Sequence, residues 1–305
     1  MQVIDADEVR RRTPMPALVD ALRAAFRADI HAPARSVHEL SDSASLLLMP
    51  AWDDRQRVGV KLVQVDTERS PAVAACYLLL DRESGALEAV IDGAMLTARR
   101  TAAASALAAD YLCRSDASTL AILGTGVLAP HFAEAHAAVR PIERVVVWGR
   151  DPERAARVAE TITNTGIEAS AVEDAASAVA AADIVSCVTS ATSPVLHGRD
   201  LTPGMHVDLV GAFRRDMREA DDAVFDTASV YVDTFEGAFE EAGDLLHAID
   251  AGVLGESDIR GELGDLCRGK GPGRTTATEI TVFKSVGTAV EDLACAGLVV
   301  AGPGA

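Results

Sequence analysis

Residues 119–129, TLAILGTGVLA, constrain this chain more than any other stretch. An apolar run (Leu120, Ala121, Ile122, Leu123) breaks into Gly124-Thr125-Gly126-Val127-Leu128-Ala129. A helix-like segment, PHFAEAHAAV, comes next, and then a second apolar run, Val145-Val146-Val147-Trp148. Strand, glycine turn, helix and strand in that order form the unit that seats the pyrophosphate of a dinucleotide. Gly124 permits the tight turn and Gly126 lets the backbone approach the phosphates. Ala129, in place of a third glycine, still allows the helix to pack closely on the strand. The helix N-terminus adds free N–H groups and the positive end of its dipole.

The segments around this unit continue the alternation. Strands are expected at 168–172, 183–188, 206–210 and 229–232, with helices at 152–163 and 174–181. Such alternation predicts a doubly wound parallel sheet over residues 116–280, with ligands at the carboxyl ends of its strands. Residues 1–115 read differently. A helix at 15–29 precedes strands at 45–49, 58–65, 72–80 and 87–91, and Asp81-Arg82-Glu83-Ser84-Gly85 joins two of them as a hairpin. An alanine-rich helix at 93–112 closes the region, which reads as an α+β domain with a largely antiparallel sheet. From Thr281 onward, TVFKSVGTAVEDLACAGLVV reads as one helix returning to that domain, and residues 302–305 as a frayed tail. The expected fold is therefore α/β: a Rossmann doubly wound parallel sheet over 116–280, plus a discontinuous α+β domain made of 1–115 and 281–305.

Composition narrows the function classes. With 49% hydrophobic and 24% charged residues, the 305-residue chain matches a globular protein with a substantial core. Its net charge of −18 argues against nucleic acid and against an anionic membrane surface as partners, while leaving room for a local basic pocket. No apolar stretch approaches the roughly 20 residues of a membrane span, and the N-terminus lacks the basic-then-apolar order of a signal peptide. Cys76, Cys113, Cys187, Cys267 and Cys295 are scattered without CxxC spacing, and most of them read as buried thiols. The seven histidines form no ligand cluster, so no metal is expected. The chain reads as cytoplasmic.

The kind of dinucleotide turns on the residues just past the second strand. NAD sites usually carry an acidic residue there, roughly 20 residues past the glycines. Here Gly149 occupies that place, with Arg150 and Asp151 after it. A glycine removes the carboxylate that would repel a 2′-phosphate, and Arg150 can pair with one. Asp151 before Pro152 reads as a helix N-cap. NADP is therefore expected in preference to NAD.

The segments LTARRTAAASALAADYL, AILGTGVLA, VVVWGRDPERA and EITVFKSVGTAVEDL, with MREADD and FEEAGDL, resemble the ornithine cyclodeaminase/mu-crystallin family over nearly the whole chain. The resemblance implies a Rossmann domain with a discontinuous dimerisation domain, assembled as a homodimer, and α-amino or α-imino acid substrates. It implies that Arg35, Lys61 and Arg100 hold the substrate carboxylate, Lys61 and Arg100 being catalytic, with Ser285 and Val286 beside the substrate. Cofactor contacts are implied at Thr101, Gly124, Thr125, Gly126, Val127, Leu128, Gly149, Arg150, Asp151, Thr189, Val210, Gly211 and Ser285. Alternation alone leaves Lys61 either on a solvated face or pointing inward, and the resemblance favours the inward reading. Arg99 is expected at the surface, and His131 and His136 as surface or packing residues. Ser285 reads alternatively as a helix-start hydroxyl, and the role of Lys284 is left open.

The loop after 206–210 separates the reactions of the family. In ornithine cyclodeaminases it resembles Gly-Gly/Ala-Asp, the aspartate serving as acid/base. Here it is Gly211-Ala212-Phe213-Arg214-Arg215-Asp216-Met217-Arg218-Glu219, and counting back from Glu219 puts Phe213 at the aspartate. Phenylalanine accepts no proton; Asp216 would have to swing in, and Asp208 is a nearby carboxylate with a structural or a functional role. Members with a non-acidic residue here resemble imine reductases. The expected activity is NAD(P)H-dependent reduction of a small cyclic α-imino acid such as Δ1-pyrroline-2-carboxylate, with Lys61 as candidate proton donor. The alternatives are an open-chain amino- or imino-acid dehydrogenase or reductase (alanine or iminosuccinate as examples), an ornithine cyclodeaminase, and a non-catalytic mu-crystallin-like binding protein.

Overall fold

The structure, a computed structural model, describes residues 1–54, 57–66, 68–69 and 73–302. Ala72, where a strand is expected to begin, and residues 303–305 of the expected tail lie outside the described residues. In chain order the first elements are β1 (Gln2–Ile4), α1 (Ala6–Arg12), α2 (Met15–Arg27), β2 (Ile30–His31), β3 (Ser36–Glu39), β4 (Ala44–Asp53), β5 (Arg57–Asp66), β6 (Val73–Asp81), β7 (Leu87–Asp92) and α3 (Gly93–Leu112). Next come β8 (Thr119–Leu123), α4 (Ala129–Ala137), β9 (Arg144–Trp148), α5 (Pro152–Thr163), β10 (Glu168–Ala171), α6 (Ala175–Ala180), β11 (Ile184–Cys187) and β12 (His206–Leu209). The last are α7 (Ala223–Asp226), β13 (Ser229–Val232), α8 (Phe235–Glu241), α9 (Gly243–Asp250), β14 (Ile259–Glu262), α10 (Leu263–Cys267), β15 (Thr281–Lys284) and α11 (Ala289–Ala301). None of the described helices is long and apolar enough to cross a membrane.

The chain divides into two compact units, Met1–Ala104 with Gly287–Ala305, and Ser105–Val286. The first division falls inside α3 rather than after residue 115. The end of α3 is tied to the second unit: Arg140 donates to the carbonyls of Ala109, Asp110 and Cys113, and Thr281 Oγ1 donates to that of Leu112. Helix-end carbonyls need such partners when they are buried.

Unit 1 holds a sheet in the order β1-β7-β6-β5-β4-β2, with β3 also on β4; its pairs are antiparallel except β1 on β7. The register sets Met49, Lys61, Tyr77 and Ile91 side by side, all buried, on one face. That face and its neighbours pack on α11 and, through it, on α2, whose Met15, Leu18, Val19, Leu22, Ala25 and Phe26 recur at helical spacing. Arg99, expected at the surface, is fully buried. It donates to Thr13 Oγ1 (3.2 Å) and to the Thr13 carbonyl, at the end of α1. The alanine-rich sequence of α3 offers no polar stripe to tell an inner arginine from an outer one.

Unit 2 holds a parallel sheet in the order β10-β9-β8-β11-β12-β15-β13-β14. Strands such as β8, whose Leu120, Ala121, Ile122 and Leu123 are all buried, therefore read as continuous apolar runs. The stretch from Thr281 is not one helix. Thr281–Lys284 is β15, fully buried between β12 and β13; its Val-Phe pair suits a strand buried on both faces. Gly287 then turns the chain at φ +84°, and the Thr288 side chain caps α11 by accepting from the Val290 N–H. Residues 281–286 thus belong to unit 2.

One buried polar network explains Asp208. Its carboxylate accepts from Ser186 Oγ (2.8 Å) and meets His136 Nε2 (3.0 Å) and His206 Nε2 (3.2 Å). His206 Nδ1 lies 2.9 Å from Thr281 Oγ1. These side chains join β11, β12, β15 and α4, and all are fully buried. Burial alone would raise the Asp208 carboxyl, but His206 and His136 outweigh it and hold the group well below the usual carboxylate range. Asp208 and His136 therefore serve the core of unit 2, and both are closed off from solvent.

Candidate active site

In unit 2, the turn after β8 has the form a pyrophosphate needs. Gly124 adopts φ +135°, and a Cβ there would lie 2.6 Å from the Val188 carbonyl oxygen. Gly126 faces open space, with nothing within 4 Å of where its Cβ would stand, so the protein's own packing does not require a glycine there. Among the described residues, the N–H groups of Thr125, Gly126, Val127 and Leu128 donate to no acceptor. Four unpartnered donors ahead of a nine-residue helix, beside a glycine that leaves the backbone bare, fit an anionic diphosphate.

The chain leaves β8 for β9 and β10 on one side and returns to β11 on the other, so the switch in strand order lies between β8 and β11. Gly124, Gly149, Thr189, Gly211 and Ser285 come after the carboxyl ends of β8, β9, β11, β12 and β15. Gly149 has a packing reason of its own: a Cβ would lie 2.4 Å from Thr125 Cγ2. Asp151 caps α5, accepting from the N–H groups of Glu153 (3.0 Å) and Arg154 (3.1 Å). Arg150 is exposed and pairs with no acid among the described residues.

A latch holds the ends of β11 and β12. Glu219, fully buried, accepts from Thr189 N–H (2.6 Å), Thr189 Oγ1 (2.8 Å) and Gly211 N–H (2.6 Å). Asp244 accepts from the Glu219 and Ala220 N–H groups, and Lys284 Nζ reaches its other oxygen at 3.2 Å. Burial pushes the Glu219 carboxyl up, with Lys284 opposing. The Thr189 hydroxyl is thus committed to Glu219. Ser285 ends β15, its N–H donating to the Leu209 carbonyl, and is not a helix-start residue. Val286 N–H donates to Asp233 Oδ2, and Val210 N–H to the Cys187 carbonyl. Phe213 is 43% exposed, and Asp216 is held by Arg214 at 2.9 Å.

In unit 1, Lys61 on β5 and Arg100 on α3 converge on the first turn of α11. Lys61 Nζ lies 2.9 and 2.8 Å from the two Asp292 oxygens. Arg100 Nε donates to Asp292 Oδ1 (2.9 Å) and its NH1 to Glu291 Oε2 (2.6 Å). Arg35 NH2 donates to the Gly287 carbonyl at 2.8 Å. Gly287 suits this place, because its φ of +84° would strain a side chain and a Cβ would lie 2.5 Å from Arg100 NH1. Thr101 is buried next to Arg100 in α3. Burial, with Arg100 and Arg35, lowers the Lys61 pKa to about 8, while Asp292 pulls it up. Burial would raise Asp292, but Lys61 and Arg100 prevail and keep it ionised.

Both clusters contain residues that sequence reasoning singles out, yet the acids that hold them are given no role by it: Glu219, which serves there only to align the loop, Asp244, Glu291 and Asp292. All four lie within MREADD, FEEAGDL and EITVFKSVGTAVEDL. A Glu-Asp pair opening a helix also reads as a favourable partner of the helix dipole, which hides any other role.

The ornithine cyclodeaminase/mu-crystallin family model matches residues 1–301. The Δ1-pyrroline-2-carboxylate reductase of Colwellia psychrerythraea is 34% identical, over 98% of this chain and 98% of its own. The ketimine reductase mu-crystallin of Mus musculus is 38% identical, over 88% of this chain and 83% of its own. The Thermococcus litoralis Δ1-pyrroline-2-carboxylate reductase, solved in complex with NADH and L-proline, superposes with a TM-score of 0.94 at 33% identity, over 99% of this chain and 97% of its own.

Proposed function

This chain belongs to the ornithine cyclodeaminase/mu-crystallin family, and we propose that it reduces the C=N bond of a small cyclic α-imino acid, Δ1-pyrroline-2-carboxylate or Δ1-piperideine-2-carboxylate, to the L-amino acid. The observation that carries this reading is the buried Lys61–Arg100 pair, suited to a substrate carboxylate, in a chain similar to reductases of that substrate. A bound nicotinamide dinucleotide supplies the hydride that the imine carbon receives. Arg35, Lys61 and Arg100 hold the carboxylate and so fix which face of the C=N bond is presented, an orientation worth on the order of 7–11 kcal/mol. The nitrogen needs one proton, and Lys61, with its pKa brought to about 8, carries it. No ammonia leaves, so no acid is needed where Phe213 stands. The exposed phenyl ring of Phe213, which accepts no proton, speaks against ornithine cyclodeamination.

Several finer features belong to the same proposal. Thr101, the 124–128 turn, Gly149, Arg150, Asp151, Thr189, Val210, Gly211 and Ser285 contact the dinucleotide, and Ser285 and Val286 the substrate. The unpaired Arg150 favours NADPH over NADH. Replacing Arg150 by Ala should raise KM for NADPH by about fivefold to tenfold, on the order of 1 kcal/mol at an exposed site, and leave NADH unaffected; equal changes for both cofactors would remove the 2′-phosphate argument. A homodimer is supported by the second sheet face of unit 1, where Leu46, Leu48, Val60, Leu62, Leu78 and Val90 are half-exposed; sedimentation velocity should give twice the chain mass. The five free thiols suit a reducing compartment such as the cytoplasm.

The reaction is tested by monitoring NADPH and NADH absorbance with pyrroline- and piperideine-carboxylate, pyruvate with ammonia or methylamine, iminosuccinate, and ornithine with NAD. Oxidation is expected with the cyclic imines. Turnover of pyruvate and ammonia without the cyclic imines would overturn the proposal.

A further inference from the structure

The chain contains three lysines, Lys61, Lys270 and Lys284. Two of them are fully buried, each against a carboxylate, and only Lys270 is exposed. Lys61 shares its carboxylate with a second cation. Asp292 Oδ1 is 2.9 Å from Lys61 Nζ and 2.9 Å from Arg100 Nε.

The donors left over define what else the cluster can take. Arg100 uses Nε on Asp292 and NH1 on Glu291, and its NH2 meets no acceptor among the described residues. Lys61 has three N–H bonds and a single carboxylate partner. Both side chains are more than nine-tenths buried, so unpartnered N–H groups there are costly without an acceptor.

We infer that Asp292 is a positioning residue: its carboxylate anchors the Lys61 ammonium and the Arg100 guanidinium, keeps the ammonium protonated, and leaves their remaining N–H groups for a substrate carboxylate. The inference rests on the reading of Lys61 and Arg100 as the cations that hold substrate. Every group facing Lys61 bears on its titration. Arg100 and Arg35 oppose protonation, and Asp292 supports it, with Glu291 held by Arg100 beside it. From β4 the register partner is Met49, which does not titrate. From β6 it is Tyr77, whose hydroxyl burial pushes well above its ordinary value; Cys295 of α11 is pushed up to about 12. Neither ionises between pH 6 and 10, so Lys61 is the group that changes charge in that range.

The small number of lysines makes a direct test possible. In protein labelled with 13C-lysine, the Cε signals report each protonation without any turnover. In the wild type one midpoint is expected near pH 8, and L-proline, added as the carboxylate probe, should raise it. Asp292→Asn should lower it by about 1–3 units, the shift that an opposite charge within a few ångströms produces. In kinetics, the same variant should bring the alkaline rise in KM to correspondingly lower pH, whereas a purely structural role would lower activity equally at all pH. An unchanged midpoint in folded Asp292→Asn would overturn the inference. Should Asp292→Asn fail to fold, Asp292→Ser decides by the same 13C-lysine signal: the smaller neutral side chain also removes the negative charge, so the Lys61 midpoint should fall, and an unchanged midpoint would equally overturn the inference. Failure of the underlying reading looks different: no cyclic imine would be reduced, and L-proline would leave the Lys61 midpoint where it was.

Discussion

Replacing Arg100 by Met is expected to lower kcat/KM for the cyclic imino acid by about two to three orders of magnitude. Truncating one partner of a buried, hydrogen-bonded charge pair costs about 2–5 kcal/mol, and a tenfold change corresponds to about 1.4 kcal/mol. Stability should fall as well, by about 3–5 kcal/mol, because Glu291 and Asp292 stay buried while losing the guanidinium that meets them both. Arg100→Lys separates the two effects. An ammonium keeps the charge but cannot reach Glu291 and Asp292 together as the planar fork does, so the melt should recover more than the activity. Steady-state kinetics beside thermal denaturation make the measurement. A folded Arg100→Met enzyme with kcat/KM close to wild type would mean that Arg100 does not hold the substrate.

The second large effect is expected at Glu219. Glu219→Ala strips the acceptor from the Thr189 N–H, the Thr189 hydroxyl and the Gly211 N–H at once. A buried donor such as the Gly211 N–H left unsatisfied costs about 1–3 kcal/mol and the partly buried Thr189 donors cost less, so a loss of about 2–4 kcal/mol is expected. In a chain of this size that is a fall in melting temperature on the order of 10 °C. The loops after β11 and β12 should also loosen, weakening dinucleotide binding as read by NADH fluorescence. Glu219→Gln retains the shape and two of the acceptor contacts, and should lie between the two. An unaltered melting temperature in Glu219→Ala would show that the latch contributes nothing.

The two units differ in how much of them the sequence reveals. In unit 2, buried parallel strands appear as short apolar runs between helices, and the glycine turn marks the order. β14 and β15 depart from that pattern: Ile259–Glu262 is a mixed polar strand at the sheet edge that no apolar run marks, and Thr281–Lys284 runs into a helix with a mere four residues between, a gap bridged by Gly287 and a cap rather than by a proline. In unit 1, the alternation over β4 to β7 identifies strands, yet it leaves open which face Lys61 takes. The short β1 and β2 are fixed by pairing with partners distant in sequence, which no local pattern reports, and the exposed β3 by its hairpin with β4. Arg99 and Arg100 stand side by side in an alanine-rich helix, and both prove buried, one on Thr13 and the other on Glu291 and Asp292.

Local chemistry, then, is legible in the chain alone: a turn that only glycine can make, a bare Gly126 before a helix, a capping Asp151, and a Phe213 that cannot accept a proton. These depend on the conformational limits and functional groups of single residues and their near neighbours, so they survive without knowledge of the fold. Which charges share a partner is settled only once the chain has folded. Asp292 lies 231 positions from Lys61 and 192 from Arg100, and Glu219 lies 30 positions from Thr189. Buried charges are tolerated only where opposite charges and hydrogen-bond partners meet them. That pairing is a property of the tertiary structure, and with it comes the protonation of the lysine on which the proposed chemistry depends.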